Sequence, residues 1–418
     1  MSLNTGLPTG AEIVRVLEIL DGVPSPYGHE AAAAARLATW CAARWPLIEW
    51  TVQPYGDGGA NLIAAPRAAP RGMPAGDLLI YSHLDTSLSG DPDEDRPITG
   101  RSGDPGTLTV TTDQVEGAGL GVARAPAAAA LIGFVSAVLA DEDPPSARLL
   151  LAGSGTHRSV LHGTAANARV TGLDHFLATE PHPVAAVVAK CGPPTLLWEE
   201  PGALYLRVRV RGRHGAVLAP ESAVPSGGVI AHAGLVIEAI ERWRTAYLAS
   251  STAPGTQVGP AVGIGSLTAG RPDKADLFPA LLEAGVYVVT VPGADPHAIA
   301  TALHHEIQAT CTNSPLATCT IEVDVDEVHP AAATPHDAPV VRAARTAWRT
   351  EFGTDPPPIT GWTGSTDGVV LRAHGIDTVR LGPQARPSPT DPRRDVLNLP
   401  SLTAYANIYA HLTTPRAR

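Results

Sequence analysis

The 418-residue chain has few cysteines and almost no lysine, and each shortage excludes a class of protein. No Cys-x-x-Cys pair occurs, which argues against a thiolate zinc site and against a disulfide scaffold. Only Lys190 and Lys274 are lysines, the net charge is −11, and no cluster of basic residues appears. Because binding to a phosphate backbone requires such a cluster, we expect no nucleic-acid partner. The four scattered cysteines are Cys41, Cys191, Cys311 and Cys319.

The sequence also has no obvious membrane or export signal. No basic segment followed by an apolar one opens the chain, and no uninterrupted apolar run reaches the roughly 18 residues that a membrane-spanning helix needs. We therefore expect a cytoplasmic protein that does not span a membrane.

Hydrophobic residues make up 44% of the chain and charged residues 17%, which is typical of a soluble globular protein. A single hydrophobic core stops growing at roughly 250–300 residues, so this length predicts two domains.

Short apolar segments alternate with helical periodicity over the first 200 residues, which favours an α/β sheet with helices on both faces. From Ala203 the pattern changes to LYLRVRVRG, where polar and apolar side chains alternate as in a strand with one face in solvent. The α/β pattern returns after residue 328. We predict a discontinuous catalytic domain, 1–200 plus 329–418, and an α+β domain inserted at 201–328.

The segment LLIYSHLDTS carries the first candidate site, because an apolar strand there leads into His83 and Asp85. Functional residues favour the carboxyl ends of strands in α/β sheets, where the next loop opens onto a crevice. Side chains at i and i+2 of an extended chain point to the same face, so Asp85 could orient the imidazole. The alternative is a surface histidine and a turn aspartate.

Six segments in order resemble the co-catalytic zinc aminoacylase and carboxypeptidase family, which includes acetylornithine deacetylase, succinyl-diaminopimelate desuccinylase and glutamate carboxypeptidase. They are LDGVPSPYGHE with GDGGANLIA, YSHLDTS, VEGAGLGVARAPAAAA, FLATEP, GSLTAGRPDKADLFPALLEAGVYVVTVPGADP and TGSTDGVVLRAHGIDTVRLGP. The resemblance covers essentially the whole chain. It implies a mixed sheet covered by helices, an inserted dimerisation domain and a homodimer, with the alternating residues 203–210 supplying a sheet edge or face.

The resemblance also implies which ligands of the family's two zinc ions are kept. His83 matches the first ligand, Asp85 its supporting carboxylate and Glu180 an acidic ligand of the same metal. The bridging aspartate falls on Val122. The final histidine ligand would lie near 387–388, where PS stands.

The family's base and its neighbouring glutamate ligand fall on His157 and Arg158. Arginine adds a permanent positive charge where a cation would bind. We therefore expect no metal cofactor, or at most one zinc through His83 and Glu180, because catalytic zinc sites usually have three protein ligands.

Further candidates are weaker. The resemblance assigns His214 to a segment that reaches the partner subunit, and it aligns Asp276 with a lid residue; with His182 and Asp367 these are candidate substrate-binding residues. Asp367 could instead cap the helix that follows it. At Lys190–Cys191 a nucleophile is conceivable, but the sequence favours a buried structural thiol.

These residues predict a metal-independent enzyme performing acid/base chemistry at a carbonyl or C–N bond of an amino-acid-derived small molecule, in specialised metabolism. His157 would be the general base or acid, His83 its partner oriented by Asp85, Arg158 the anion donor, and Glu180 would hold either. Hydrolysis, cyclisation and elimination all fit. Two alternatives remain open. The first is a catalytically silent homologue that binds a small molecule or a partner and whose charged residues only fill a vacated metal pocket. The second is a mononuclear zinc amidohydrolase.

Overall fold

The computed structural model describes residues 10–67, 77–140, 145–153, 155, 171–218, 224–251 and 255–414. The helices in these ranges are α1 Gly10–Asp21, α2 Ala31–Arg44, α3 Pro92–Thr99, α4 Ala125–Ala140, α5 Gly172–Thr179, α6 Ala233–Ser250, α7 Pro296–Thr312, α8 Pro339–Phe352, α9 Gly368–Ala373 and α10 Leu399–Thr413. The strands are β1 Ile48–Tyr55, β2 Gly59–Pro66, β3 Leu78–His83, β4 Thr109–Val110, β5 Gln114–Ala118, β6 Ala147–Ala152, β7 Ala185–Ala189, β8 Glu199–Glu200, β9 Gly202–Arg211, β10 Gly215–Ala216, β11 Ala261–Ala269, β12 Leu277–Phe278, β13 Leu281–Thr290, β14 Thr320–His329, β15 Ala332–Ala333, β16 Asp377–Leu381, β17 Arg386–Pro387 and β18 Arg394–Asn398.

A mixed six-stranded sheet forms the centre of the first unit, with the strand order β1-β2-β6-β3-β7-β16. Strands β6, β3, β7 and β16 are parallel, whereas β2 pairs antiparallel with β1 and β6. Because β3 lies between β6 and β7, its apolar residues are buried on both faces. The carboxyl ends of the four parallel strands therefore meet at one edge of the sheet.

Helices cover both faces of this sheet. On one face α1, α2, α4, α8 and α10 contribute to the main hydrophobic core. On the other face, Phe176 of α5 and Leu371 of α9 pack with Tyr81 and Leu150 in a smaller cluster. The predicted fold class, a mixed α/β sheet covered on both faces with an inserted α+β unit, is confirmed.

One helical stretch, Leu120–Ala140, is long and apolar enough to cross a membrane by length and composition. It begins with a π-helical turn, Leu120–Arg124, and continues as α4. Within the fold, 83% of its apolar window is buried. It is the central helix of the main core, which explains its hydrophobicity without a bilayer.

The inserted unit is an antiparallel sheet with the order β11-β13-β9-β14, packed on one face against α6 and α7. In β9, Leu206 and Val208 point into its core, whereas Arg207 and Arg209 lie on the other face and pair with acidic residues of neighbouring strands. Because β9 lies between β13 and β14, the option that residues 203–210 form a sheet edge is wrong. The domain boundaries and the homodimer stay predictions.

Candidate active site

The segment after β3 holds an imidazole against a carboxylate. The Nδ1–H group of His83 donates to Oδ1 of Asp85 at 2.6 Å, and both residues are buried. The turn that precedes α2 supports this segment, because Ser25 Oγ donates to the Leu84 carbonyl oxygen at 2.8 Å and Thr86 N–H donates to the Ser25 carbonyl oxygen at 2.9 Å. His83 and Asp85 make the contact that their i, i+2 spacing predicts. The second ring nitrogen of His83, Nε2, faces another group.

That other group is Lys190, the residue immediately after β7. Its Nζ contacts Nε2 of His83. Strand β7 runs parallel to β3, with Tyr81 opposite Val188, so the two strands deliver His83 and Lys190 to the same edge of the sheet. Lys190, His83 and Asp85 thus form a continuous chain from amine to imidazole to carboxylate.

Burial lowers the pKa of Lys190 to about 8, although Asp85 and Asp367 oppose this shift through their negative charge. Removal of water from around an ammonium group favours its neutral form. The amine can therefore exchange a proton with its surroundings at pH values near neutrality.

A cavity of about 180 Å³ opens onto these groups. Lys190, Asp85 and Asp367 are among its lining residues. Asp367 accepts a hydrogen bond from the hydroxyl of Tyr81, and burial, together with this contact, raises the pKa of Tyr81 well above its ordinary value. Tyr81 therefore stays protonated and keeps donating to the carboxylate.

Gly155 lies between the two carboxylates of the cavity. Its N–H donates to Asp85 Oδ1 at 2.9 Å, and a Cβ on this residue would lie 3.4 Å from that oxygen and 3.6 Å from Oδ2 of Asp367. Val122 contributes an apolar side chain to the same wall. His157 and Arg158 lie outside the described residues, so their predicted roles stay predictions.

Glu180 and His182 do not belong to this cavity. Glu180 ends α5 before β7 begins, at the amino end of that strand, and its Oε2 is 4.0 Å from Nη1 of Arg148. Arg148 pairs with Leu79, four residues before His83. His182 Nε2–H donates to the Leu177 carbonyl oxygen at 2.9 Å. The predicted placement of Glu180 beside His83 is corrected accordingly: the acidic residue precedes the strand, and the residue that follows the strand is Lys190.

The remaining candidates divide between the two units. His214 and Asp276 lie in the inserted unit, near the paired strands β10 and β12, and neither lines the cavity. Asp367 does line it. Asp367 occupies the N-cap position of α9, as predicted, but its side chain makes no capping hydrogen bond to that helix.

Sequence reasoning raised a nucleophile at Lys190–Cys191 but favoured a structural thiol, and it did not single out Tyr81. The available signal was composition: in a chain whose basic residues are otherwise arginine, one of only two lysines follows a buried apolar strand. Its neighbour Cys191 fits the structural interpretation, because burial raises the pKa of this thiol to about 12.

The described side chains around the cavity do not suit zinc. Among the described residues, no group of three or more His, Cys, Asp and Glu side chains is placed to hold a metal ion. The imidazole nitrogen that could bind zinc faces the Lys190 amine, and the cavity lining includes the apolar side chain of Val122. An ammonium group has no lone pair to offer a metal. The described donor set does not fit a zinc ion.

Comparison with known proteins finds similarity in fold alone. No protein family model and no curated protein sequence matches the chain. Solved structures similar over nearly the whole length include human carnosine dipeptidase 1, at 14% identity over 97% of this chain and 96% of that one with a TM-score of 0.68. An M20 family metallo-carboxypeptidase from Sulfolobus solfataricus is 16% identical over 96% and 98%, with a TM-score of 0.60.

An amidase of the hydantoinase/carbamoylase family from Burkholderia vietnamiensis is 14% identical over 99% and 98%, with a TM-score of 0.64. The fold is therefore one that peptidases and amidases share.

Proposed function

We propose that this chain is a metal-independent enzyme that performs acid/base chemistry at a carbonyl or C–N bond of an amino-acid-derived small molecule, in specialised metabolism. The observation that carries the proposal is the contact between Lys190 Nζ and His83 Nε2 in the lining of the cavity. Metallopeptidases share this fold. In this chain the nitrogen best placed to bind a metal, Nε2 of His83, instead accepts a hydrogen bond from Lys190. The similar solved structures include peptidases and an amidase, which supports a C–N bond as the bond on which the enzyme acts.

The three side chains divide the proton transfer between them. Asp85 accepts the Nδ1–H of His83, which fixes the tautomer and the orientation of the ring. Nε2 can then take a proton from Lys190 or from a substrate. The efficiency of general acid/base catalysis is greatest when the pKa of the group lies near the working pH, and the Lys190 pKa of about 8 meets that condition.

Two predicted residues extend this proposal. Gly155 lines the cavity and stands two positions before His157 in the chain. We keep His157 as a second acid or base and Arg158 as a donor to an anion or oxyanion. The inserted unit, as a dimerisation unit, would bring His214 towards the site of a partner subunit.

The first test is metal content together with turnover. Protein purified without added metal should contain well under one zinc per chain, and its turnover of a panel of N-acetyl amino acids and dipeptides should survive chelation. His83→Ala and Lys190→Met should each lower kcat/KM by about 100-fold or more, the usual contribution of a general acid or base. Lys274→Met is the matched control, since Lys274 is exposed in the inserted unit.

Two outcomes contradict the proposal. Stoichiometric zinc with chelator-sensitive turnover would establish a mononuclear zinc amidohydrolase instead. Unchanged kcat/KM in both His83→Ala and Lys190→Met would remove the acid/base chain from the mechanism.

A further inference from the structure

We propose that Lys190 is a covalent nucleophile that forms an imine with an aldehyde or ketone bearing a cationic amino group. This inference deepens the proposed function by naming a substrate class, and it depends on that function only in placing the reaction in the same cavity. It begins from the order of the three groups, Lys190, His83 and Asp85. A nucleophile within reach of a base, with that base oriented by a third group, is the arrangement that activates serine and cysteine in hydrolases.

Geometry places the amine where a substrate can reach it. Lys190 lines the cavity together with Val188 and Ala189 of β7, and its side chain is only partly buried. Arg380 fixes the end of that strand, because its Nη2 donates to the Cys191 carbonyl oxygen at 2.8 Å. The amine contacts the imidazole of His83, and Lys190 lines the cavity that a substrate would enter.

Composition supports a specific use of lysine at this position. Every basic residue except Lys190 and Lys274 is an arginine. Arginine would supply a permanent positive charge and hydrogen-bond donors, but its guanidinium is not a useful nucleophile. A primary amine offers what the arginines elsewhere in the chain cannot, namely a nitrogen lone pair once a proton has been lost.

The chemical step is balanced without any further reactant. Nε2 of His83 takes one proton from the Lys190 ammonium, and the nitrogen lone pair attacks the carbonyl carbon of the substrate. The π electrons of the C=O bond move to oxygen, which receives the proton from the imidazolium to give a carbinolamine. The nitrogen lone pair then forms the C=N bond while the C–O bond breaks, and the oxygen leaves as water after taking a second proton from nitrogen. The protonated imine keeps the third ammonium hydrogen.

Charge selects the class of carbonyl compound. Among the described side chains that line the cavity, Asp85 and Asp367 are carboxylates and Lys190 is the ammonium. The proton that leaves Lys190 stays on His83, so the described lining keeps two carboxylates against one positive charge, and this net negative charge attracts a further cation. A substrate with an ammonium group supplies that cation, whereas a carboxylate group placed beside Asp85 and Asp367 would be repelled.

The experiment traps the imine by reduction. The purified full-length chain is incubated with one of three methyl ketones that differ in charge: aminoacetone, hydroxyacetone and pyruvate. Borohydride then reduces any imine to a secondary amine, which adds to the chain the mass of the ketone less one oxygen atom. Peptide mapping assigns the adduct, and the chain offers only Lys274 and the amino terminus as competing amines.

We expect one adduct at Lys190, formed with aminoacetone about tenfold or more faster than with pyruvate, which is the lower range of electrostatic focusing in a charged cleft. Lys274→Met should keep the adduct. Lys190→Arg, which retains the charge and a hydrogen-bond donor, should lose it. His83→Asn should slow its formation at least tenfold without changing the thermal melting profile.

Labelling confined to Lys274 or the amino terminus, or no labelling, overturns the nucleophile. Equal labelling by pyruvate and aminoacetone overturns the assigned substrate class. Metal-independent turnover of amides without any adduct removes this inference and leaves the proposed function intact. An adduct in a protein that shows zinc-dependent turnover leaves the nucleophile standing and removes the metal-independent function.

Discussion

Lys190 is held in surroundings that favour its uncharged form. Burial lowers its pKa to about 8, whereas an ordinary lysine in an unfolded chain keeps a pKa near 10.4. The nearby carboxylates limit the shift without removing it. Since the pKa of a group differs between the folded and unfolded states, the stability of the protein must depend on pH in the window between those two values.

We expect the free energy of unfolding to rise with pH between about 8 and 9.5. In this window the unfolded chain keeps the Lys190 proton that the folded chain has lost, so the unfolded state binds more protons and is disfavoured as pH rises. The gain attributable to Lys190 is about 1–2 kcal/mol. Urea denaturation of the native chain and of Lys190→Met at several pH values measures it as the difference between the two pH profiles.

Lys274→Met is the control for that series, because this side chain is exposed. Its pH profile should parallel that of the native chain. A Lys190→Met profile that parallels them too would contradict the assigned environment of Lys190.

At the scale of elements, the site depends on the parallel strands and on the helices that hold them. Helix α4 packs closely against α10 along the main core. At Gly133 the two helices are close enough that an added Cβ would collide with the Ala406 carbonyl oxygen and lie 2.7 Å from the Cβ of Tyr409. Tyr409 in turn donates its hydroxyl to the Leu381 carbonyl oxygen at the end of β16. The glycine therefore sets the distance between α10 and the sheet edge that carries the cavity.

Gly133→Ala should destabilise the protein by about 1–3 kcal/mol, the usual cost of overpacking a core. Helix propensity alone predicts the opposite, a gain of up to about 1 kcal/mol. Gly234→Ala in α6 is the matched control, because this glycine is exposed and a Cβ added to it would meet no atom within 4 Å. Urea denaturation of both variants separates the two effects. A stabilised Gly133→Ala protein would show that α4 and α10 separate at little cost.

At the scale of the molecule, a buried ion-pair network connects two parts of the chain. One is the pair of strands where the chain enters and leaves the inserted unit, and the other is the segment that lines the cavity. Glu200 of β8 is fully buried and contacts the guanidinium of Arg372 in α9 and the hydroxyl of Thr366. Strand β8 pairs with β15, and these two strands flank the inserted unit in sequence. Thr366 directly precedes Asp367 of the cavity. One carboxylate thus holds the entry to the inserted unit, α9 and the loop that carries Asp367.

We predict that Glu200→Gln lowers the free energy of unfolding by about 3–5 kcal/mol, because removal of one partner leaves a buried guanidinium uncompensated. Asp273→Asn tests the contrast: its ion pair with Arg271 is exposed, and its loss should change stability by at most about 0.5 kcal/mol. Thermal and urea unfolding of the two variants measures both effects. If Glu200→Gln and Asp273→Asn lowered the free energy of unfolding equally, burial would add nothing to the strength of the ion pairs around Glu200.

Local sequence determined the fold class and half of the site. Alternation and apolar runs report burial directly, so the α/β pattern and the one-sided strand β9 were readable from neighbouring residues. The contact between His83, the last residue of β3, and Asp85 needs only two steps along the chain. The apolar side chain of Val122 at the cavity wall followed from family resemblance.

Tertiary structure alone decided the partner of His83. Lys190 is 107 residues away, and only the parallel pairing of β3 with β7 brings the two side chains together. The same topology moves Glu180 to the opposite end of β7, because the chain passes through a whole strand between these two residues. Asp367 is 286 residues from Tyr81, and only the folding of the loop before α9 against β3 brings these two side chains together. Sequence spacing fixes which face a side chain takes within a strand, but the order and direction of strands fix which end of the sheet it reaches.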